Sequence, residues 1–158
     1  LHTHTSTLRL PEGVYRDMTD WRGMGEFLAG LTTMQVSRIK ALLTSNQLDL
    51  CEEVAQDVAS IIECVDAWQN FGLVHSDLHT GNCLSCEGEI GVIDFDDCQF
   101  APFTCDMAIT LSSFDNLANR EVFYEAFLQG YSERRELPHN YREEIEVFMV
   151  ERRLRLIR

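Results

Sequence analysis

The chain has 158 residues, of which 45% are hydrophobic, and a formal net charge of -13 at pH 7. This length is enough for one domain with a hydrophobic core and too short for two full domains. The acidic charge argues against nucleic acid and anionic membrane surfaces as partners, since both need a basic surface, whereas a cationic substrate would be attracted.

The cysteine content and the hydropathy bear on the compartment. The six cysteines have no regular spacing, which favours reduced thiols and a cytoplasmic protein over a disulfide framework. No apolar run approaches the roughly twenty residues of a membrane span, so we expect no membrane partner.

Helical patterns dominate the first half of the chain. The glycines between residues 23 and 30 have no strand before them, so they predict a packed turn and not a phosphate-binding loop. Thr32 begins the spacing of a capping box and predicts the start of a helix. A longer helix is predicted over residues 49–72, begun by a capping pair of Asp49 and Glu52 and ended by a glycine.

Two short apolar runs predict the strands of a β-hairpin. They are Cys83–Cys86 and Ile90–Phe95, joined by a polar loop of three residues, Glu87–Glu89. Counting back along both strands from this loop places Asn82 opposite Asp94, and opposed residues share one face of a sheet. A carboxamide oxygen and a carboxylate oxygen would then face the same small volume, which suits a hard cation such as Mg²⁺. A two-residue loop would shift the register by one and place the two side chains on opposite faces.

The polar segment before the hairpin contains a further carboxylate. Asp77 lies five residues before Asn82, in a segment whose polar residues and Gly81 suit a loop. A carboxylate that is near a metal ion without binding it is well placed to orient or deprotonate a substrate hydroxyl. Phosphoryl transfer needs this arrangement.

Three helices are predicted after the hairpin. Residues 98–104 predict a loop, and Asp106 begins a helix, where an aspartate at the N-cap or in the first turn is common. The second helix is predicted over Arg120–Tyr131, and the last begins at Pro138. The arginines within residues 152–158 complement the dipole of this last helix, so they need no nucleic acid to explain them.

Three linked motifs resemble those of a known family. They are His75-Ser76-Asp77 followed by Asn82, then Ile93-Asp94-Phe95-Asp96-Asp97-Cys98, then Cys105-Asp106-Met107-Ala108. They resemble the pattern of the aminoglycoside phosphotransferase and choline kinase family, which has a protein-kinase-like fold: His-x-Asp, then Asn, then Ile-Asp-(Phe/Trp)-x-Asp, then Asp-(Leu/Met)-Ala. The match spans about residues 50–115. Ser76 stands where many members have glycine, a mild change because serine also suits a turn.

The resemblance implies an α+β, mostly helical fold, namely the C-terminal lobe of a protein-kinase-like phosphotransferase with a short β-hairpin carrying the catalytic loop. It implies Asp77 as the catalytic base and Asn82 and Asp94 as magnesium ligands. It also implies that His75 and Asp106 support the catalytic loop, by packing and by hydrogen bonds.

Two more residues are candidates for contacts to substrate or phosphate. They are His79, in the catalytic loop, and Asp97, after the hairpin. An acidic run such as residues 94–97 is usually a solvated loop. Here the run follows a strand of mostly apolar residues, which favours a functional site.

The resemblance implies that residues 1–158 form a single C-terminal lobe with its catalytic core at residues 50–115. Enzymes of this family have a second, N-terminal lobe with a phosphate-covering loop and a nucleotide-binding lysine on a strand. Lys40 is the one lysine of this chain, and it lies in a helical pattern. We therefore expect the nucleotide-binding lobe to be absent from this chain, and the chain alone to be inactive.

The function that the resemblance implies is transfer of the γ-phosphoryl group of ATP or GTP to a hydroxyl of a small molecule, with Mg²⁺ as the metal ion. An aminoglycoside, choline, homoserine, a sugar or a protein serine would all suit the same loop as acceptor. The acidic charge would attract a cationic acceptor, although many intracellular proteins are acidic without such a role.

Two alternatives stay open. His75, Asp77 and His79 could bind zinc or manganese in a hydrolase, which predicts imidazole nitrogens on the metal. A chain without its nucleotide-binding lobe could also be a non-catalytic domain fragment or a binding remnant.

Overall fold

The computed structural model describes residues 1–8, 26–65 and 70–158. The helices of these residues are α1 (His2–Thr5), α2 (Thr33–Leu42), α3 (Ser45–Ile62), α4 (Phe103–Ser112), α5 (Arg120–Ser132) and α6 (Tyr141–Ile157). The strands are β1 (Phe71–Val74), β2 (Cys83–Cys86), β3 (Glu89–Val92) and β4 (Gln99–Pro102), and one turn of 3-10 helix, Thr80–Asn82, precedes β2. None of these described helices is long and apolar enough to cross a bilayer. Of the packed turn predicted at residues 23–30, residues 26–30 are described, and they form a turn in which Phe27 is buried. Residues 23–25 lie outside the described residues.

Capping boxes begin two consecutive helices. Thr32 and Gln35 form the predicted box of α2, in which the Thr32 N–H donates to Gln35 Oε1 at 3.0 Å. The next helix begins earlier than predicted because Thr44 and Gln47 form a second box, in which the Thr44 N–H donates to Gln47 Oε1 at 2.8 Å. The predicted start at Asp49 is therefore wrong, since this residue lies inside α3.

Gly72 does not end a helix, as its place after an apolar pattern predicted, but lies in strand β1. Helix α3 ends earlier, at Ile62. A Cβ atom at Gly72 would come within 2.8 Å of the Phe103 ring. The glycine therefore allows the strand to approach the first residue of α4 closely.

Strands β1 and β4 form an antiparallel pair. Phe71 is opposite Pro102, and Val74 is opposite Gln99. The predicted loop over residues 98–104 is wrong, because four of these residues pair with a strand that is distant in sequence, which local patterns do not show. Pro102 is tolerated because it ends a strand that has a neighbour on one side.

The hairpin of β2 and β3 has a tighter turn than predicted. Cys86 pairs with Glu89, so the loop has two residues, Glu87 and Gly88, with φ of 51° and 84°. Positive φ at both central positions matches the twist of the flanking strands and favours a glycine, as in a type I′ turn. The three-residue loop of the sequence analysis is therefore wrong.

Helix α4 lies at the centre of the core. Most of its side chains are buried, and the fully buried ones include Phe103, Met107 and Leu111. Helix α6 packs against α4 and α3, and buries Phe148 and Met149 there. A helix that is apolar on nearly all sides needs neighbours on all sides. Helix α4 is therefore enclosed along most of its length, and the loop that follows β1 contacts it.

Candidate active site

The loop that the motifs predict to be catalytic, residues 75–82, is called the catalytic loop below and is anchored on α4 through a buried carboxylate. Asp106, in the first turn of α4, accepts hydrogen bonds from the backbone N–H groups of His75 at 3.1 Å and Ser76 at 2.9 Å. Ser76 has a φ of 65°, a left-handed conformation that a non-glycine residue keeps only when its surroundings hold it there. These contacts support the role in loop support that the motif implies for Asp106.

His2 is a third partner of Asp106, and the sequence analysis did not identify it. The His2 Nε2 donates to Asp106 Oδ2 at 2.9 Å, its ring stacks on Phe103 with centroids 4.4 Å apart, and the Tyr131 hydroxyl lies 3.0 Å from its Nδ1. In the neutral His2 ring whose Nε2 carries the proton, Nδ1 accepts a hydrogen bond from the Tyr131 hydroxyl, and burial raises the pKa of that hydroxyl to about 12. Three donors thus compensate the buried carboxylate. A lone histidine has no periodicity, so the sequence offered no signal for it.

His75 connects the catalytic loop to the segment after the hairpin. It is fully buried, its Nδ1 accepts the Asp77 N–H at 3.3 Å, and its Nε2 donates to the Ile93 carbonyl at 2.9 Å. The Phe95 ring lies against it, with centroids 4.7 Å apart. One neutral tautomer satisfies both ring nitrogens inside the protein. This supports the structural role expected for His75.

The hydrolase alternative requires His75, Asp77 and His79 to converge on a metal ion. Both nitrogens of His75 are engaged, and the His79 Nδ1 accepts the Gly81 N–H at 3.0 Å. Over residues 1–8, 26–65 and 70–158, no group of three His, Cys, Asp or Glu side chains has an arrangement that could hold a metal ion. The imidazole arrangement that this alternative predicts is therefore not formed.

Asp77 presents its carboxylate at the accessible side of the loop, where its side chain is 24% exposed. The Asn82 Nδ2 donates to the Asp77 carbonyl at 2.9 Å and to its Oδ2 at 3.3 Å. The His79 Nε2 lies 3.4 Å from the same Oδ2. On the other side, a guanidinium nitrogen of Arg152 lies 2.5 Å from Oδ1. The carboxylate is thus held by donors while part of it stays open to a ligand.

Asn82 and Asp94 flank the hairpin, but they are not opposed as predicted. The two-residue turn places Asn82 opposite Ile93, whose N–H donates to the Asn82 carbonyl at 3.1 Å. Asn82 ends a 3-10 turn and Asp94 has a φ of 64°, so neither belongs to a regular strand. The predicted opposition of Asn82 and Asp94 across the hairpin is therefore wrong, and the local turns set the direction of the two side chains.

The donor atoms of these two residues nevertheless fit a hard cation. The side-chain hydrogen bonds of Asn82 are made by Nδ2, so its carboxamide oxygen is the atom that can face a cation. Asp94 is exposed, and its backbone is in a left-handed conformation, as the backbone of Ser76 is. Strained backbone of this kind is common at functional sites. Asp97 is also exposed.

Thr110 and Arg152 contact the catalytic loop from helices, and the sequence analysis missed both contacts. The Thr110 hydroxyl donates to the Leu78 carbonyl at 2.8 Å, over a separation of 32 residues. Arg152 was assigned to the dipole of α6, but it pairs with Asp77 over a separation of 75 residues. Contacts at such separations leave no mark on local periodicity.

Residues 18–143 match the model of the phosphotransferase enzyme family, APH. This range covers most of the 158 residues. The chain belongs to this phosphotransferase family. The motifs around Asp77, Asp94 and Asp106 therefore predicted the family correctly.

Known kinases of small molecules are similar to this family member. Amicoumacin kinase of Bacillus subtilis (strain 168) is 32% identical in an alignment of 111 residues that covers 58% of this chain and 33% of that protein. A solved structure, amicoumacin kinase hAmiN in complex with AMP-PNP, Ca²⁺ and Ami, has a TM-score of 0.76 at 22% identity and covers 98% of this chain and 46% of that chain. The microcompartment-associated aminopropanol kinase has a TM-score of 0.58 at 25% identity, with 99% and 49% covered. The chain spans less than half the length of each of these phosphotransferases.

The similarity to solved structures confirms the predicted fold class. The chain is mostly helical with short antiparallel strands, and it superposes on about half of each kinase-like enzyme. Its fold is therefore that of one lobe of a kinase-like phosphotransferase, with a hairpin directly after the catalytic loop.

Proposed function

We propose that the complete protein containing this chain transfers the γ-phosphoryl group of ATP or GTP to a hydroxyl of a small molecule. The observation that carries this proposal is the partly exposed carboxylate of Asp77, next to Asn82, on a loop whose backbone is bound to the buried Asp106. Two similar proteins are named amicoumacin kinase and aminopropanol kinase, and the hAmiN complex contains AMP-PNP. These names support phosphoryl transfer to a small acceptor.

In this mechanism Asp77 orients the acceptor hydroxyl and takes its proton. The hydroxyl oxygen forms a bond to the γ-phosphorus, the bond from that phosphorus to the bridging β-phosphate oxygen breaks, and the nucleoside diphosphate leaves. The carboxylate suits this role because several donors fix its position while the Asp77 side chain remains 24% exposed.

Asn82 and Asp94 would hold a divalent cation, which we propose to be Mg²⁺. The carboxamide oxygen of Asn82 and the exposed carboxylate of Asp94 are hard oxygen donors of the type that this ion prefers. When bound, the ion neutralises charge on the phosphate oxygens during transfer. His79 and Asp97 remain candidates for contacts to substrate or phosphate.

The second lobe completes the proposed enzyme. We expect the rest of the complete protein to supply a nucleotide-binding lobe, so that this chain alone is inactive, and we expect the protein to act in the cytoplasm. For the acceptor we favour an amine-bearing alcohol. The formal charge of -13 would attract a cation, and one similar kinase is named for aminopropanol.

A nucleotide-consumption screen of the complete protein tests this function. Amino alcohols, aminoglycosides and neutral sugars are each supplied with ATP or GTP and a divalent cation, and Asp77→Asn is the matched control. We expect acceptor-dependent release of nucleoside diphosphate in the wild type and its loss in the control. A wild type that consumes no nucleotide with any acceptor, or a control as active as the wild type, would contradict the proposal.

A further inference from the structure

Arg152, on the last helix, makes the shortest of the contacts to the proposed catalytic base. One of its guanidinium nitrogens lies 2.5 Å from Asp77 Oδ1. The two side chains are 23% and 24% exposed, so the pair is mostly shielded from water. A charge-assisted hydrogen bond of this length in a shielded place holds its acceptor more firmly than a neutral one.

The helix that carries Arg152 is packed against the core. Helix α6 packs against α4 and α3, and its neighbouring residues Met149, Glu151 and Leu154 are buried. The next arginine, Arg153, points elsewhere and pairs with Asp115, in the segment after α4. Of these two adjacent cations, only Arg152 contacts the catalytic loop in the described structure.

The other contacts of the Asp77 side chain are longer. Asn82 Nδ2 lies 3.3 Å and His79 Nε2 lies 3.4 Å from Oδ2, close to the upper limit of a hydrogen bond. Asp77 Oδ1 is therefore held by Arg152 of α6. The contacts of Oδ2 are longer and weaker, so this is the oxygen at which a substrate hydroxyl could replace them.

We propose that Arg152 is a positioning residue for phosphoryl transfer: it fixes the carboxylate of Asp77 so that Oδ2 faces the acceptor hydroxyl. This inference rests on the proposed function. Arg152 acts through Asp77 and does not touch the reacting atoms. A guanidinium suits the role better than an ammonium, because its planar group holds an acceptor in a defined direction.

A positioning role predicts a specific kinetic pattern. Without the guanidinium, the carboxylate can turn away from the acceptor, and small misplacements of a catalytic group lower turnover strongly. We expect Arg152→Gln to lower kcat about tenfold to a hundredfold in the complete protein, with KM for the acceptor changed by less than about threefold. Arg152→Lys keeps a cation without the planar group, so we expect it to restore part of the lost kcat.

The matched control is Arg153→Gln, which removes the same charge from the adjacent residue of the same helix. Arg153 is 54% exposed and contacts Asp115, not the catalytic loop, so we expect wild-type kcat and KM. Steady-state kinetics of the four proteins, each first shown to be folded by circular dichroism, provide the comparison. A double-mutant cycle of Asp77→Asn and Arg152→Gln, read as shifts in the unfolding temperature, measures the pair without any activity.

The outcomes separate this inference from the proposed function. A lower kcat in Arg152→Gln with partial rescue by lysine supports positioning. The positioning role would be overturned if Arg152→Gln left kcat unchanged, or if it lowered KM, which would reveal competition between the guanidinium and the acceptor. An equal loss of kcat in Arg153→Gln would overturn it as well. Unfolding shifts that simply add in the double variant would also overturn it. A wild type with no phosphotransferase activity, together with coupled unfolding shifts, would instead contradict the proposed function, and with it the role of Arg152 in phosphoryl transfer, while the pairing of Arg152 with Asp77 would stand.

Discussion

At the scale of single residues, Asp77 presents a partly exposed carboxylate on a backbone held by hydrogen bonds, so its removal tests the proposed chemistry. In the complete protein we expect Asp77→Ala to lower kcat by at least about a hundredfold, in line with general-base contributions. We expect a similar loss for Asp94→Ala, through the cation. Steady-state kinetics measure both, with the exposed Asp57→Asn as control. A wild-type kcat in either alanine variant would rule out its proposed role.

Asp106 has a different task, because it is buried and accepts three hydrogen bonds. In Asp106→Asn the side chain keeps nearly the same shape, but an NH2 group replaces one acceptor oxygen. This NH2 group would face one of the N–H donors and could not accept its hydrogen bond. We expect the free energy of unfolding to fall by about 1–3 kcal/mol, the usual effect of leaving a buried donor unsatisfied. Denaturant unfolding measures this, with Asp49→Asn, exposed on α3, as the control. Equal stability of Asp106→Asn and the wild type would show that these hydrogen bonds do not hold the loop.

At the scale of elements, the contact of β1 with α4 depends on a missing side chain. A Cβ atom at Gly72 would lie 2.8 Å from the Phe103 ring and 3.3 Å from the Thr5 carbonyl oxygen. We expect Gly72→Ala to lower the free energy of unfolding by about 1–3 kcal/mol through overpacking. Gly130, in α5, has no atom within 4 Å of such a Cβ, so Gly130→Ala should stabilise by about 0.5–1 kcal/mol.

Thermal unfolding of these two variants against the wild type is the measurement. The same chemical change is made in both, so a difference in sign isolates the close approach at Gly72 from the general effect of replacing a glycine. Two variants that shift the unfolding temperature equally would show that the contact of β1 with Phe103 is loosely packed.

Local patterns predicted the elements whose stability is local. The helix over Arg120–Tyr131 and the capping box at Thr32 match the structure closely. The register of the hairpin was wrong because Glu89 is polar and was counted in the loop, although an exposed strand position accepts a polar residue. Strand β4 was missed because it exists through its pairing with β1.

The candidate site follows the same division. The residues of the catalytic loop lie within linked motifs, so sequence alone predicted them. His2, Thr110 and Arg152 contact that loop from far along the chain, and each is chemically unremarkable in its own segment. Only packing brings them to the loop, so the chain's pattern of residue types could not predict their contacts.

At the scale of the whole molecule, Asp115 lies just after the end of α4 and connects this end to helices α5 and α6. The Tyr124 hydroxyl of α5 donates to its Oδ1 at 2.6 Å, and Arg153 of α6 pairs with its other oxygen. Partial burial by itself would raise the pKa of Asp115, but the hydrogen bonds from Tyr124 and Arg153 outweigh it and lower the pKa below 3.8. Burial and the neighbouring Asp115 raise the pKa of Tyr124, which therefore remains a donor.

These contacts predict an acid-dependent stability. Because the folded state lowers the pKa of Asp115, the carboxylate stabilises the protein above the unfolded value, near 3.8, and this contribution is lost as the pH falls through the folded pKa. We expect Asp115→Asn to lower the unfolding temperature at pH 7 and to flatten its decline below about pH 5. Unfolding temperatures across this range measure the effect, and Asp57→Asn should keep the wild-type slope. If the unfolding temperatures of Asp115→Asn and the wild type fell in parallel with decreasing pH, Asp115 would be excluded as a source of the acid-dependent stability.

The hydrogen bonds at Asp106 also bear on how the protein folds. They join residues 31 and 104 positions apart in the chain, and the Tyr131 hydroxyl beyond His2 extends the span to 129 positions. Closing loops of this length costs chain entropy that only the assembled core offsets, so contacts of this kind form late. During refolding of the complete protein, we expect the helices to gain their circular dichroism signal before the catalytic loop becomes ordered, and the proposed nucleotide turnover to return only in the last kinetic phase.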